Sequence, residues 1–342
     1  MMVVSLKHLL DQKIRQRAAA RKSGSRLVTP FHSGTEGCHL ILCLWRILLL
    51  WFCMQCGAAE LVSLASYNLE NYLLHPNQGR KPKPIEAKAV VQTSLLALRA
   101  NVLALQELGS EAALVELKDS LADQSLNYPH HAISITPDSP IHVGLLSQFP
   151  IRKISHHVTN VFVLYGKPFR PSRGFLEVDL ELPRSHVLKV FVAHLKSKRP
   201  VGYADQWDLR TREALLLRSL VDARLKSNPN QWVAVVGDFN DGPSSQALKF
   251  LRGRQGQIRL YDARPSEGKE GKPIMHNGRL LKRSTAWTHF FQDEDLYSRV
   301  DFILMNRSLN RSFLQDHSYV LDLPNWGIAS DHRPVLATFE LP

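Results

Sequence analysis

The chain has 342 residues, 44% hydrophobic and 22% charged, so it can bury a substantial core and is not wholly disordered. All four cysteines (Cys38, Cys43, Cys53, Cys56) precede residue 60, which excludes a disulfide-stapled fold and thiolate chemistry for everything after them. The formal net charge is +12; with the basic N-terminal stretch set aside, residues 60–342 keep +6, an excess that favours polyanions such as nucleic acid or anionic lipid headgroups.

Residues 1–59 come first and differ from the rest. Lys7, Lys13, Arg15, Arg17, Arg21, Lys22 and Arg26 make a basic stretch, Leu40 to Phe52 is apolar apart from Arg46, and Gly57-Ala58-Ala59 offers small residues before Glu60. Basic, apolar and small-residue segments in that order predict a signal peptide or N-terminal leader over 1–59, and hence a secreted or periplasmic protein. The basic stretch is long for a signal peptide. A start codon further downstream or an uncleaved membrane anchor are the alternatives, and Arg46 and the short apolar run weigh against the anchor. Cys53 and Cys56 have C-x-x-C spacing, but within an apolar leader that implies neither zinc nor redox work.

From residue 60 onward, strands and helices alternate in a single domain, 60–342. Leu61–Tyr67 alternates as a strand, and a polar loop with Pro76, Pro82 and Pro84 follows it. Ile85–Arg99 has helical apolar spacing, Asn101–Leu105 is a buried strand, and a helix starts near Ser110. Strands are expected around His131–Ile135, His142–Phe149 and Ile151–Val158. Phe175–Leu182 and Val187–Ala193 make a hairpin, Ala204–Leu225 a long amphipathic helix, Trp232–Val236 a central strand and Ser244–Leu251 a short helix. Val300–Met305 and Pro334–Leu341 close the set. Hairpins mixed with crossovers predict an α/β fold in which two mixed sheets pack together with helices outside.

Polar residues recur where these apolar runs end: Asn68 to Asn71, Gln106-Glu107, His194, Asp238-Phe239-Asn240, and Asp301 with Ser330-Asp331-His332. Acids, amides and histidines gathered at strand ends suit phosphoester hydrolysis with a divalent metal. A hard cation takes carboxylate and amide oxygens, and the phosphorus centre needs a base, a placed water and neutralised oxygens. Asp238 and Asn240, two apart, would project to one side of an extended backbone, where the acid could orient and deprotonate a water. Asp301 inside Val300–Met305 is costly to bury without a partner, so a buried partner is expected.

Six segments carry a resemblance: Ser66-Tyr-Asn-Leu-Glu-Asn71, Leu105-Gln-Glu107, Val192-Ala-His-Leu-Lys-Ser197, Val236-Gly-Asp-Phe-Asn-Asp241, Ser298-Arg-Val-Asp-Phe-Ile-Leu304 and Ala329-Ser-Asp-His-Arg-Pro334. Together they resemble the ordered motif series of the endonuclease/exonuclease/phosphatase family over nearly all of 61–341. The resemblance implies a four-layer α/β sandwich, dependence on Mg²⁺ or Mn²⁺, and phosphoester hydrolysis by an activated water. It implies Glu107 as the main metal ligand with Asn68 and Asp331 beside it, Asp238 and Asn240 holding the water, and His332, oriented by Asp301, on the scissile phosphate. His194 matches a second histidine of nuclease-I-like and sphingomyelinase-like members, where abasic-site endonucleases have a tyrosine region. Arg173, ahead of the Phe175 strand, matches a position that can reach substrate; with His194 and Asn240 it completes the implied substrate contacts. Arg299-Val-Asp301 departs from the cysteine-containing motif of inositol-polyphosphate phosphatases.

Other residues fit substrate less sharply. Lys196, Lys198, Arg199, Arg210 and Arg212 flank the His194 loop and could follow a phosphate backbone or simply form a solvated face. Trp326 could stack on a base, dip into lipid or pack in its loop. Glu70 and Asn71 stay outside the core set. The expected activity is that of an exported phosphodiesterase acting on nucleic acid, with a sphingomyelin-like lipid headgroup or a small phosphate ester as alternative substrates, and a silent binding module on the same scaffold as the alternative class. No stable protein partner is implied.

Overall fold

The chain enters its sheet at β1 (Leu61–Tyr72), and the computed structural model describes residues 60–253, 258–267, 274–276, 279–281 and 286–342. The leader predicted over 1–59 lies outside the described residues. From β1 the chain passes through α1 (Ile85–Leu98) to β2 (Val102–Leu108) and α2 (Glu111–Ala122), whose start is capped by Ser110 Oγ accepting the Ala113 amide at 3.2 Å. Then come β3 (His130–Ser134), β4 (His142–Ser147), β5 (Ile151–His156), β6 (Phe162–Leu164), β7 (Lys167–Phe169), β8 (Phe175–Glu181) and β9 (Val187–His194). The long α3 (Gln206–Ser227) crosses to β10 (Trp232–Asp238), followed by α4 (Gln246–Arg252), β11 (Tyr261–Asp262), β12 (Ser266–Glu267), β13 (Ile274–His276) and β14 (Arg279–Leu281). The last elements are β15 (His289–Phe291), β16 (Leu296–Ser298), β17 (Asp301–Met305), α5 (Arg307–Asn310), β18 (Phe313–Val320), α6 (Trp326–Ala329) and β19 (Val335–Glu340).

Two large mixed sheets result, one of seven strands in the order β12-β18-β19-β1-β2-β4-β3 and one of six in the order β11-β17-β10-β9-β8-β5. At the heart of each is a parallel pair joined by a crossover helix: β1 beside β2 through α1, and β9 beside β10 through α3. Such strands are covered on both faces and so are apolar on both. In β10, Ala234 and Val236 enter the core between the sheets, while Val233 and Val235 face α3 and α4. In β2, Val102 and Ala104 face the other sheet, and Leu103 and Leu105 meet α1 and α2. The expected four-layer α/β sandwich is therefore what the chain forms. Among the described residues no helix is long and apolar enough to cross a membrane.

Three features escaped the periodicity. β1 runs on to Tyr72, because positive φ at Glu70 (45°) and Asn71 (56°) makes an irregularity in the ladder rather than ending it. The β6–β7 and β15–β16 hairpins are too short to show a pattern. β18 is buried at its C-terminal end alone, and exposed Gln315, Asp316 and His317 interrupt the apolar alternation.

One buried ionic cluster holds the outer face of the six-stranded sheet. Glu177, 2% exposed, accepts from Arg224 at 2.7 and 3.0 Å, His157 at 2.8 Å and Lys189 at 3.0 Å. Burial pushes its carboxyl up, but these donors outweigh burial and hold it well below the usual carboxylate range. Glu177→Ala strands the cations and is expected to destabilise the domain by about 3–5 kcal/mol at pH 7 in urea titrations. A depressed folded-state pKa stabilises above the unfolded value, so the deficit should shrink as pH falls below about 4.

Candidate active site

Topology explains why distant segments meet. Asn68, Glu107, His194 and Asp238 lie at the C-terminal ends of the two parallel pairs. Asp301 opens β17, which runs antiparallel to β10, and His332 stands just ahead of β19, which runs antiparallel to β1. Strand ends on the parallel pairs and strand starts on their antiparallel neighbours thus share one edge of the sandwich. In register, Asp238 sits directly opposite both His194 and Asp301. The close approach of β9 needs a glycine: Gly237 has φ 136°, and a Cβ there would lie 1.9 Å from the Ala193 carbonyl oxygen. Gly237→Ala is expected to cost about 3 kcal/mol or more of stability, read as a drop in Tm, since strain and overpacking act together.

Asp238 is the hub. Its Oδ2 accepts from Asn68 Nδ2 at 3.0 Å and Asn240 Nδ2 at 3.3 Å, and lies 3.3 Å from His194 Nε2 and 3.7 Å from His332 Nε2. Burial alone would raise the pKa of this 1% exposed acid, but His332 and His194 outweigh it and keep the carboxylate ionised. His332 Nδ1 is 2.8 Å from Asp301 Oδ2, the pairing expected from the sequence. Burial disfavours a charged His332, yet Asp301 on one side and Asp238 on the other raise its pKa well above the ordinary histidine value. Asp301 is held in turn by its amide, which donates to Thr288 Oγ1 at 3.1 Å. Ser330 ties the end of β1 to the segment ahead of β19: its Oγ donates to Asn68 O at 2.8 Å and accepts the His332 amide at 3.0 Å.

The route by which Asn240 joins Asp238 differs from the one inferred. Asn240 is past the end of β10 with φ 53°, so the two are not alternate residues of an extended strand. A tight turn does the work: the Asn240 amide donates to Asp238 Oδ1 at 2.8 Å, and its Nδ2 reaches Leu195 O at 3.0 Å as well as Asp238. Asparagine tolerates the left-handed region and bonds locally, which suits it to this position.

Around the other side of the cleft the acids gather. Glu107, also at positive φ (64°), accepts the Asn71 amide at 2.9 Å and faces Arg80 Nη1 at 3.4 Å. Glu70 is raised above its usual pKa by burial first and then by the charges of Asp331 and Glu107. Asp331 and Glu107 both bear on Glu70 electrostatically, with Asn68 beside them, so oxygens of the hard kind that a divalent cation takes border this side of the cleft. Among the described residues the ligand atoms that converge are those of His289, Asp331 and His332 and of Asp238, Asp301 and His332. Glu70, left outside the core set on sequence, belongs with the acids of this side. His289 was not anticipated either; its Nε2 lies 3.6 Å from Asp331 Oδ2 and its ring 4.6 Å from the His332 ring. Neither His289 nor Arg80 sits at the end of an apolar run, so only the fold brings them in.

These residues line a cleft of ≈ 880 Å³ that includes Asn68, Glu107, Arg173, His194, Asp238 and His332. Arg173 is 9% exposed and donates to Leu195 O at 3.0 Å, the same carbonyl that Asn240 uses. Lys196, 6% exposed, is pushed down to about 8 by burial and by neighbouring Arg173. Lys198 and Arg199 are exposed on the rim. Arg210 does not follow a substrate: it is buried, bonded to Asp241 at 3.1 Å and Lys196 O at 3.1 Å, and so fixes the His194 loop. Arg212 is exposed on α3 and Trp326 packs edge-on against Trp287 at 4.9 Å, so the packing alternative holds for Trp326.

The sequence model of the Endonuclease/Exonuclease/phosphatase family matches residues 65–332. The chain belongs to this family. Its members are hydrolases of phosphoester bonds and generally depend on a divalent metal, in keeping with the acid and histidine groups gathered here. No curated protein matches the sequence. Among solved structures, the human Nocturnin catalytic domain with bound sulfate superposes with a TM-score of 0.57 at 16% identity, covering 83% of this chain and 97% of that one. A Bacteroides vulgatus endonuclease/exonuclease/phosphatase gives 0.57 at 14% identity over 83% and 100%. Sphingomyelinase C from Streptomyces griseocarneus gives 0.53 at 17% identity over 82% and 100%. At such identities the likeness is one of fold.

Proposed function

We propose that the chain is an exported, Mg²⁺-dependent nuclease that hydrolyses phosphodiester bonds with an activated water. The observation that carries the reading is the convergence on Asp238 of two amides and two histidines, all within 3.7 Å, at the edge where the acids of both sheets meet. Ionised Asp238 accepts the hydrogen bond of the attacking water, aligns it with phosphorus and takes its proton as the new P–O bond forms. Protonated His332 donates Nε2–H to a non-bridging phosphate oxygen, and Asp301 fixes the ring that does so. His194 meets the phosphoryl group from the β9 side, while Asn240, its Nδ2 shared between Leu195 O and Asp238, holds the Asp238 carboxylate in place.

Glu107, Asn68 and Asp331, with Glu70, are the residues that would hold Mg²⁺, or Mn²⁺ in its place. When bound, the ion neutralises phosphate oxygens and the charge that develops on the leaving oxygen as its bond to phosphorus breaks. Nucleic acid is favoured by the rim of Arg80, Arg173, Lys196, Lys198 and Arg199, more cationic charge than one small ester needs, and by the basic balance of residues 60–342.

The test is cleavage by the full-length protein of supercoiled plasmid and RNA, beside sphingomyelin liposomes. Expected is nucleic-acid cleavage abolished by EDTA and restored by Mg²⁺; metal-dependent turnover of lipid alone would replace the substrate, and EDTA-resistant cleavage would remove the metal. Export is checked separately by N-terminal sequencing of the secreted product, with Glu60 expected first.

A further inference from the structure

A second cavity of ≈ 740 Å³ adjoins the catalytic cleft, and Arg80, Arg173 and Lys196 line both. Two observations set it apart from a packing gap. The first is a column of aromatic rings. Buried Phe162 stacks on Phe169 at 6.0 Å and 21°, Phe169 stacks on Tyr203 at 6.1 Å and 24°, and Tyr203, in the turn ahead of α3, is 64% exposed. Phe169 and Tyr203 both line the cavity, and among the described residues no further ring stacks on Tyr203. The column ends in an open aromatic face.

The second observation concerns charge. Arg173 and Lys196 are 9% and 6% exposed, yet neither has an ion pair among the described residues; their side chains donate to Leu195 O, and to Ser197 and Arg199. Glu213 behind them spends its carboxylate on the Ser172 and Lys196 amides and the Ser172 hydroxyl. Arg170, also on the wall, is exposed and makes no ion pair among the described residues. Carboxylates act on these cations only through space, Glu107, Glu213 and Asp238 on Arg173 and Glu213 on Lys196, so their hydrogen-bond partners are all neutral and an anion that enters the site gains a direct contact.

We propose that this cavity is a nucleotide subsite: it takes the nucleoside phosphate adjoining the scissile diester, with Arg173 and Lys196 on the phosphate between the cavities, Arg170 on the next one, and the base stacked on Tyr203. The inference rests on the nuclease reading and adds where the strand runs. Single-stranded nucleic acid alternates a phosphate with a planar base, and the cavity beside the cleft offers both complements, Arg170, Arg173 and Lys196 together with the Phe169 and Tyr203 rings. A phosphocholine headgroup would use the cations and place its trimethylammonium on Tyr203 by cation–π contact, but it has no base whose removal would matter, so abasic strands separate the two.

The test uses the full-length protein and single-stranded oligonucleotides, intact or carrying an abasic residue on either side of the cut. Tyr203→Ala is expected to lower kcat/KM on the intact strand about tenfold, as loss of one base–aromatic stack does, while Tyr203→Phe keeps it. An abasic residue on the side of the cavity should cost wild type a similar factor and make Tyr203→Ala indistinguishable from wild type. Arg170→Ala should reduce the salt slope of binding by about one. Equal losses on intact and abasic strands, or no loss, would overturn the subsite while leaving the nuclease reading in place. Failure of the wild type to cut any nucleic acid would overturn that reading and the subsite with it. Vesicle binding that Tyr203→Ala abolishes, with strand cleavage untouched, would give the rings to a lipid surface instead.

Discussion

Asp238→Asn is expected to lower kcat about 10³- to 10⁴-fold with little change in KM, the upper part of the range for a general base. Two losses combine in this one variant. The water loses its proton acceptor, since an amide oxygen is a poor base. The amide also cannot satisfy its neighbours: the Asn240 amide donates to Oδ1, while Asn68, Asn240 and the two histidines surround Oδ2. Whichever way the new NH₂ group turns, it meets a donor. Removal of the charge reaches His332 too, because Asp238 is one of the three carboxylates, with Asp301 and Asp331, that raise its pKa. A raised histidine pKa means protonation persists to higher pH, so the variant's residual activity should fall off at lower pH than that of wild type. The check is a pH–rate profile with urea titrations alongside; a wild-type alkaline limb in the variant would show that Asp238 does not set the state of His332.

The parts of this arrangement that were legible in the sequence share a cause. An acid or histidine bordering an apolar run is expensive to place there without a partner, and Glu107, His194 and Asp238 at strand ends, Asp301 at a strand start and His332 just ahead of one all stand out for that reason. Parallel strands apolar on both faces, such as Trp232–Val236, likewise announce a buried sheet. The turn that brings Asn240 back to Asp238 was not legible, since alternation assumes an extended backbone and φ 53° departs from it. Glu70 was visible in the Asn68-to-Asn71 cluster but was left outside the core set, and Arg80, Thr288 and His289, which come from short or irregular segments, reach the cleft only through tertiary contacts. Composition pointed to polyanions in general. The paired cavities give that expectation a direction.

His332→Ala is expected to lower kcat about 10²- to 10³-fold, the cost of removing one preorganised donor from a developing phosphoryl charge. The informative experiment adds Asp301→Asn. Asp301 reaches the phosphate through His332 alone: its Oδ2 is 2.8 Å from Nδ1, it is 1% exposed, and β17 holds it below the ring rather than in the cleft. A carboxamide there can keep the ring in place but cannot keep it charged, so Asp301→Asn alone should lower kcat by a smaller factor and shift the alkaline limb down. In the His332→Ala background Asp301→Asn should cost kcat almost nothing further, because the only group it served is gone. Strictly additive losses would mean that Asp301 contributes by a route of its own, with Oδ1, which has no hydrogen-bond partner among the described residues, as the atom to examine. Stability separates the two variants further. His332→Ala leaves Asp301 and Asp238 as buried like charges without the imidazolium between them, and it should therefore unfold more readily as pH rises, when both carboxylates must stay ionised.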